Sequence, residues 1–317
     1  MNSPGDRPFA DCWFLTGPTA SGKSALALLL AESLDCEIVA LDSMTLYRGM
    51  DVGSAKPTAE DQRRVRHHLL DVLDPSEPSS LADYLKRAKA ATEEIRTRGK
   101  QPLFVGGTPL YLKACLRGIF EGPGADVELR SRLEVEAAQV GVPALHARLA
   151  EVDPKAAARI LVNDLRRIVR AIEVHTLTGK PISEWQQEFD KPAHPPPKVA
   201  CLVRPREEIR RRIAERVTAM MNVGWIEETK RLFQRTPPPG REARQAVGYG
   251  EIIEHLAGKM SFDELVDIVT IRTRQFAKRQ MTWFRHLEEI QFFETNEQDD
   301  PTRLLNALVD FFRSPQH

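Results

Sequence analysis

Residues 17–24 read GPTASGKS. The run fits Gly, four residues, Gly, Lys, Ser, the phosphate-loop pattern. The apolar run CWFLT (12–16) leads into it, and 23–34 leads out as a helix, with leucines at 26, 29, 30 and 34. Strand, glycine-containing turn and helix in that order aim backbone N–H groups and a helix N-terminus at an anion. Gly17, Pro18, Thr19, Ala20, Ser21 and Gly22 would form the cradle. Lys23 adds a point charge, and Ser24 can offer its hydroxyl to Mg²⁺. Taken alone, the loop predicts ATP or GTP binding; its plain structural alternative is a helix-capping turn.

Outward from the loop, CEIVAL (36–41), PLFVGG (102–107) and VACLV (199–203) are further short apolar runs, and 81–98 has a helical pattern. Strands alternating with helices predict an α/β fold, a parallel-sheet core of the phosphate-loop NTPase type. From 121 to 195 helical patterns carry no strand candidate, which predicts a helical insertion. EGPG opens it and KPAHPPPK (191–198) closes it as a stiff linker. The core is then split into 1–120 and 196–317, and after residue 205 the pattern is helical again. Ser261 and Glu264 have capping-box spacing ahead of a long helix. Val269, Phe276 and Trp283 recur along that helix every seven residues and are expected to form its packed face.

The 317 residues are 42% hydrophobic and 28% charged, as in ordinary soluble chains. No apolar stretch is long enough to span a membrane and the N-terminus lacks an apolar signal core, so a cytoplasmic protein is expected. The four cysteines, Cys12, Cys36, Cys115 and Cys201, are too scattered for a CxxC zinc site and are expected reduced. A formal net charge of zero by itself argues weakly against a nucleic-acid partner. The charge is segregated, however. Residues 271–285 hold five Lys/Arg and no acid, and 287–300 hold six acids and no base, which permits a basic face.

Five further stretches bear on chemistry. ALDSMTLYRGMDVGSAKP (40–57) puts Asp42 and Ser43 at a strand end, on the edge that faces the ligand crevice of a parallel sheet. A carboxylate there can act as a base or hold a metal; it can equally cap a turn. VGGTPLYLKA (105–114) combines two glycines, which let backbones approach closely, with a hydrogen-bonding Thr108. NDLRRIVRAIEV sets Arg166, Arg167 and Arg170 on adjacent helical positions. Arg212 and Arg216 lie one turn apart on another helix, with fork geometry suited to phosphate. In TRQFAKRQMTWFR (273–285), Arg274, Lys278 and Arg285 line a face suited to a phosphate backbone. For each basic segment, a solvated helix surface is the structural alternative.

In this order and spacing, GPTASGKS, DSMTLYRGMDVGSAKP, HHLLDVLDP, VGGTPLYLKA, NDLRRIVRAIEV, AVGY and RQFAKRQMTWFR resemble the bacterial tRNA dimethylallyltransferases from about Phe14 to Arg285. The resemblance implies transfer of a dimethylallyl group from its diphosphate to N6 of the adenosine 3′ of the anticodon, with Mg²⁺ as cofactor and the loop holding diphosphate. It also implies the general base, Asp42, and the diphosphate-contacting arginine, Arg216, with Arg212 as a second candidate. Its tRNA contacts fall on Asp42, Ser43, Met44, Thr45, Thr108, Arg130, Arg166, Arg167, Ile168, Val169, Arg170, Lys278, Arg279, Gln280 and Arg285. The implied partners are tRNA, gripped at its anticodon stem-loop, and dimethylallyl diphosphate, with a monomer as the working unit. The chain departs from the family pattern at Thr45 (commonly Gln), Pro109, Gln245 and Gly250. Two other functions share the loop. A prenyltransferase acting on free AMP, ADP or ATP would not need the basic segments, and a small-molecule kinase would need neither these nor the insertion.

Overall fold

The computed structural model describes residues 7–119, 122–185, 192 and 194–315; parts of both expected hinges lie outside these residues. Among the described residues six strands build one sheet: β1 (Trp13–Thr16), β2 (Cys36–Ala40), β3 (His67–His68), β4 (Gln101–Gly106), β5 (Lys198–Val203) and β6 (Ile290–Glu294). Their order is β3-β2-β4-β1-β5-β6, and every pairing is parallel. All the strand C-termini therefore share one edge of the sheet.

Alternation along each strand divides the core in two. Phe14, Phe104, Val199 and Cys201 point to one face, and Leu15, Leu103, Ala200 and Leu202 to the other. The second face is covered by α1 (Lys23–Leu34) and, at the far end of the chain, by Leu308 and Phe312. On that side Leu26, Leu28 and Leu30 are buried, while Leu29 is exposed. Next in the chain come α2 (Ala59–Arg64), α3 (Leu81–Thr97) and α4 (Pro109–Arg117). Pro109 starts α4, where a missing N–H costs nothing.

Residues 117–191 form a compact unit of their own. It holds α5 (Val127–Val140), α6 (Val142–Val152), α7 (Pro154–Arg159), α8 (Leu165–Thr178) and α9 (Ile182–Trp185) around a core of its own. The other unit resumes at β5 and adds α10 (Arg206–Asn222), α11 (Trp225–Phe233), α12 (Arg241–Arg244), α13 (Tyr249–Leu256), α14 (Phe262–Phe284) and α15 (Pro301–Arg313).

Two expectations change. The chain after residue 205 is not all helical, because IQFFE forms edge strand β6 against β5. The packed face of α14 is not Val269, Phe276 and Trp283. Leu265, Val269, Ala277, Gln280 and Phe284 are buried, while Trp283 is 37% exposed. A straight helix drifts by about 20° per heptad, so a strict seven-residue spacing walks off the buried stripe. The capping box at Ser261 and Glu264 is present.

Candidate active site

The phosphate loop leaves β1 between its two sheet neighbours, β4 and β5, and runs into α1. No side chain caps α1, so the positive end of its dipole stays open to an anion. Ala20 adopts φ of 65°, a left-handed conformation costly for a residue with a Cβ. Three arginines brace consecutive loop residues. Arg204 Nε donates to the Ser21 carbonyl at 2.7 Å, Arg212 Nε donates to the Ala20 carbonyl at 2.9 Å, and Arg216 donates to Thr19 Oγ1 at 3.5 Å. Arg204 is paired with Glu208, and Arg212 lies 3.6 Å from Glu297. Of these three arginines, Arg216 alone makes no ion pair among the described residues, so its charge is left for a ligand. Nothing in the sequence marked Arg204; only the β5 register, which ends at Val203, brings it to the loop.

The second and third stretches meet at the same sheet edge. The Leu41 N–H donates to Val105, and the Thr108 N–H donates back to Leu41, extending the β2–β4 pairing beyond both strands. A Cβ on Gly106 would lie 2.1 Å from the Leu41 carbonyl oxygen; one on Gly107 would lie 2.6 Å from the Gln280 amide and 3.5 Å from Lys23 Nζ. These glycines are what let Asp42, the glycine turn and the loop converge. Asp42 Oδ1 accepts from the Met44 N–H at 2.8 Å and more weakly from Thr45 at 3.4 Å, while Thr108 Oγ1 accepts from the Ser43 N–H at 3.3 Å. Asp42 is therefore a turn residue as well as a candidate base, with its second oxygen left for chemistry.

Other parts of the motif set work as scaffold. Lys56 Nζ reaches the Tyr47 carbonyl, Asp51 and Asp71, pinning the 40–57 segment to the HHLLDVLDP segment. Glu228 is 2% exposed and accepts N–H bonds from Asp51, Val52 and Gly53 and the Tyr249 hydroxyl at 2.7–3.1 Å. This explains why DVG and AVGY occur together: one buried carboxylate binds both. Glu228→Ala would remove the acceptor of three part-buried amides and of the buried Tyr249 hydroxyl, each bond worth about 1 kcal/mol. We expect a loss of at least about 3 kcal/mol in urea unfolding; a loss below about 1 kcal/mol would show that the knot contributes little.

Electrostatics single out three groups. Burial pushes the Asp42 carboxyl above its ordinary value, although the Met44 bond and the Lys23 charge pull the other way. Burial first, and Arg216 next, lower Lys23 to about 8. Burial also lowers Arg216, and Asp42 partly restores it. One carboxylate thus faces two cations in a recess where charge is costly, which is how functional sites tune their groups. Among the described residues no cluster of three or more His, Cys, Asp or Glu could hold a metal alone.

The residues expected at RNA divide sharply. In the insertion, Arg166 and Arg167 are exposed, but Ile168 and Val169 are core residues whose side chains cannot reach a ligand. Arg130 and Arg170 both bond the buried Glu173, at 2.8–2.9 and 2.5 Å. Burial pushes Glu173 up, yet these bonds hold it below its ordinary range. On α14, Lys278 and Arg279 are exposed, as is Arg285 at its C-cap. Gln275, Lys278, Arg279, Thr282 and Trp283 line an open cleft on this helix, a basic stripe bearing one aromatic. Gln280 is turned inward instead and is 3% exposed.

Fold and site together define a phosphate-loop α/β protein whose anion cradle faces a single recessed carboxylate. The family model for IPP transferase matches residues 45–287, and that for isopentenyl transferase matches 10–75. A tRNA dimethylallyltransferase 1 of Trichlorobacter lovleyi is 47% identical over 94% of this chain and 97% of its own length. A tRNA dimethylallyltransferase of Geobacter sulfurreducens is 47% identical over 88% and 90%. The crystal structure of the Bacillus halodurans tRNA isopentenylpyrophosphate transferase matches with a TM-score of 0.68 and 36% identity, covering 96% and 97% of the two chains. A eukaryotic dimethylallyltransferase solved acting on tRNA shares the fold, with a TM-score of 0.79 at 24% identity over 95% of this chain and 79% of its own. The chain belongs to the tRNA dimethylallyltransferase family of IPP transferases.

Proposed function

We propose that this protein transfers the dimethylallyl group of dimethylallyl diphosphate to N6 of the adenosine 3′ of the anticodon in tRNA. The allylic carbon–oxygen bond breaks, a carbon–nitrogen bond forms, diphosphate leaves, and the N6 proton passes to Asp42. The observation that carries this reading is the convergence of Asp42, Lys23 and Arg216 on one sheet edge, with opposed pKa shifts. A raised carboxylate is a better proton acceptor than an ordinary one. The loop, Lys23 and Arg216 stabilise charge that develops on the leaving group, which is where preorganised donors act best.

Mg²⁺ fits this site as a cation carried mainly by the diphosphate, since it needs few protein oxygens. Ser24, exposed on the first turn of α1, would supply its hydroxyl. When bound, the ion would add charge stabilisation to the leaving group. The target base lies within a folded anticodon loop, so flipping it into the recess is part of the reading. Arg166, Arg167, Lys278, Arg279 and Arg285 are the exposed candidates for phosphate contacts. A monomer as the working unit belongs to the same reading. No helix among the described residues is long and apolar enough to cross a membrane.

The test is incubation with dimethylallyl diphosphate, Mg²⁺ and unmodified tRNA, with free AMP as a parallel acceptor. We expect a mass gain on one tRNA adenosine and little turnover of AMP. Efficient prenylation of AMP with none on tRNA would replace the acceptor and leave the basic stripe of α14 without a role.

A further inference from the structure

Gln280 lies in the basic run 278–285 but does not share its exposure. Its amide oxygen accepts the Thr19 N–H at 2.9 Å, and its amide nitrogen donates to the Gly107 carbonyl at 2.6 Å. Each end meets a different half of the site. Thr19 belongs to the phosphate loop, and its hydroxyl is the one that Arg216 approaches. Gly107 precedes Thr108, whose hydroxyl holds the Ser43 N–H beside Asp42. The absence of a Cβ on Gly107 is what admits the Gln280 amide. A primary amide is the side chain that can accept at one end and donate at the other without adding charge beside Lys23.

We propose that Gln280 is a positioning residue, not an RNA contact: it sets the spacing between the leaving-group side and the base side of the site and ties both to α14. Its neighbours Lys278, Arg279, Thr282 and Trp283 are exposed on the same helix. A ligand bound to that stripe therefore presses on a helix bolted to the loop. The amide acts through Thr19 and Gly107 and touches no reacting atom. This rests on the reading above only for the identity of the transferred group.

The test compares the near-isosteric Gln280→Met with Gln280→Glu, which keeps the Thr19 acceptor but sets an anionic oxygen against the Gly107 carbonyl. Inorganic diphosphate affinity is measured by calorimetry, affinity for an anticodon stem-loop RNA by filter binding, and kcat at saturating tRNA. Both variants are expected to lose about tenfold in diphosphate affinity, the cost of a buried hydrogen bond. In both, kcat is expected to fall about 10²-fold, since small misplacements cost that much. RNA affinity should stay within about twofold of wild type. Weakened RNA binding with diphosphate affinity and kcat unchanged would overturn the proposal and make Gln280 an RNA contact. Wild-type values for all three would overturn it as well. The diphosphate measurement needs no turnover, so it decides on Gln280 even if the transfer reaction itself failed, which would count against the proposed function alone.

Discussion

Asp42→Asn is expected to lower kcat by about 10²–10⁴, the usual contribution of a positioned general base. The choice of asparagine follows from the structure. Asp42 Oδ1 accepts the Met44 and Thr45 N–H groups, so Asp42→Ala would remove the turn together with the base. Asparagine keeps an acceptor for both N–H groups and discards only the proton-accepting charge. tRNA affinity should therefore stay within about twofold. Single-turnover kinetics with filter binding on the same preparation separates the two effects. If Asp42→Asn keeps wild-type turnover, Asp42 is only a turn-former and the base lies elsewhere.

The second large effect concerns Lys23. Its ammonium and the Arg216 guanidinium share the single carboxylate of Asp42, whereas Arg204 and Arg212 each have a carboxylate neighbour of their own. A unit charge about 4 Å from a developing anion is worth about 4 kcal/mol at an effective dielectric near 20. Each factor of ten in rate takes about 1.36 kcal/mol, so Lys23→Met should lower kcat by about 10²–10³. The pH dependence has a definite sign. Asp42 must be ionised to accept a proton, so kcat/KM rises with pH through its raised pKa. Lys23 must be protonated to hold diphosphate, so kcat/KM falls as pH passes about 8 in the free enzyme. Bound diphosphate favours the charged ammonium, so the alkaline limb of kcat should lie higher than that of kcat/KM. Lys23→Arg, which cannot lose its proton in this range, should remove the limb near pH 8. Persistence of that limb in the arginine variant would assign it to another group.

Much of this site could be read in the chain because its parts are local. GPTASGKS is a strand, a turn and a helix within a dozen residues, and Asp42 and Thr108 each follow a strand whose direction the apolar runs reveal. Parallel pairing then collects all three at one edge. What escaped was long-range. Arg204 joins the loop through β5, across 183 residues of sequence, and Gln280 reaches Thr19 across 261. No spacing rule links such positions. Glu228 is similar: a glutamate on an amphipathic helix gives no local sign that it will bury itself against three backbone amides. The basic runs misled in another way. Arg166–Arg170 and 278–285 look like continuous basic faces, yet a helix turns 100° per residue, so Ile168, Val169 and Gln280 inside those runs point into cores. Strand β6 escapes a reading of apolar runs because three of its five residues, Gln291, Phe292 and Glu294, are exposed at the sheet edge and it lies among acids.

The central claim is that the phosphate loop holds a leaving diphosphate and the bond broken is carbon–oxygen. Dimethylallyl diphosphate labelled with heavy oxygen at the bridging position tests this directly, in the presence of Mg²⁺ and unmodified tRNA. We expect all of the label in the released diphosphate, together with a dimethylallyl adenosine in the tRNA digest. Label appearing in a prenyl alcohol, or a phosphoryl group transferred to an acceptor, would mean that phosphorus–oxygen cleavage is the chemistry of this loop.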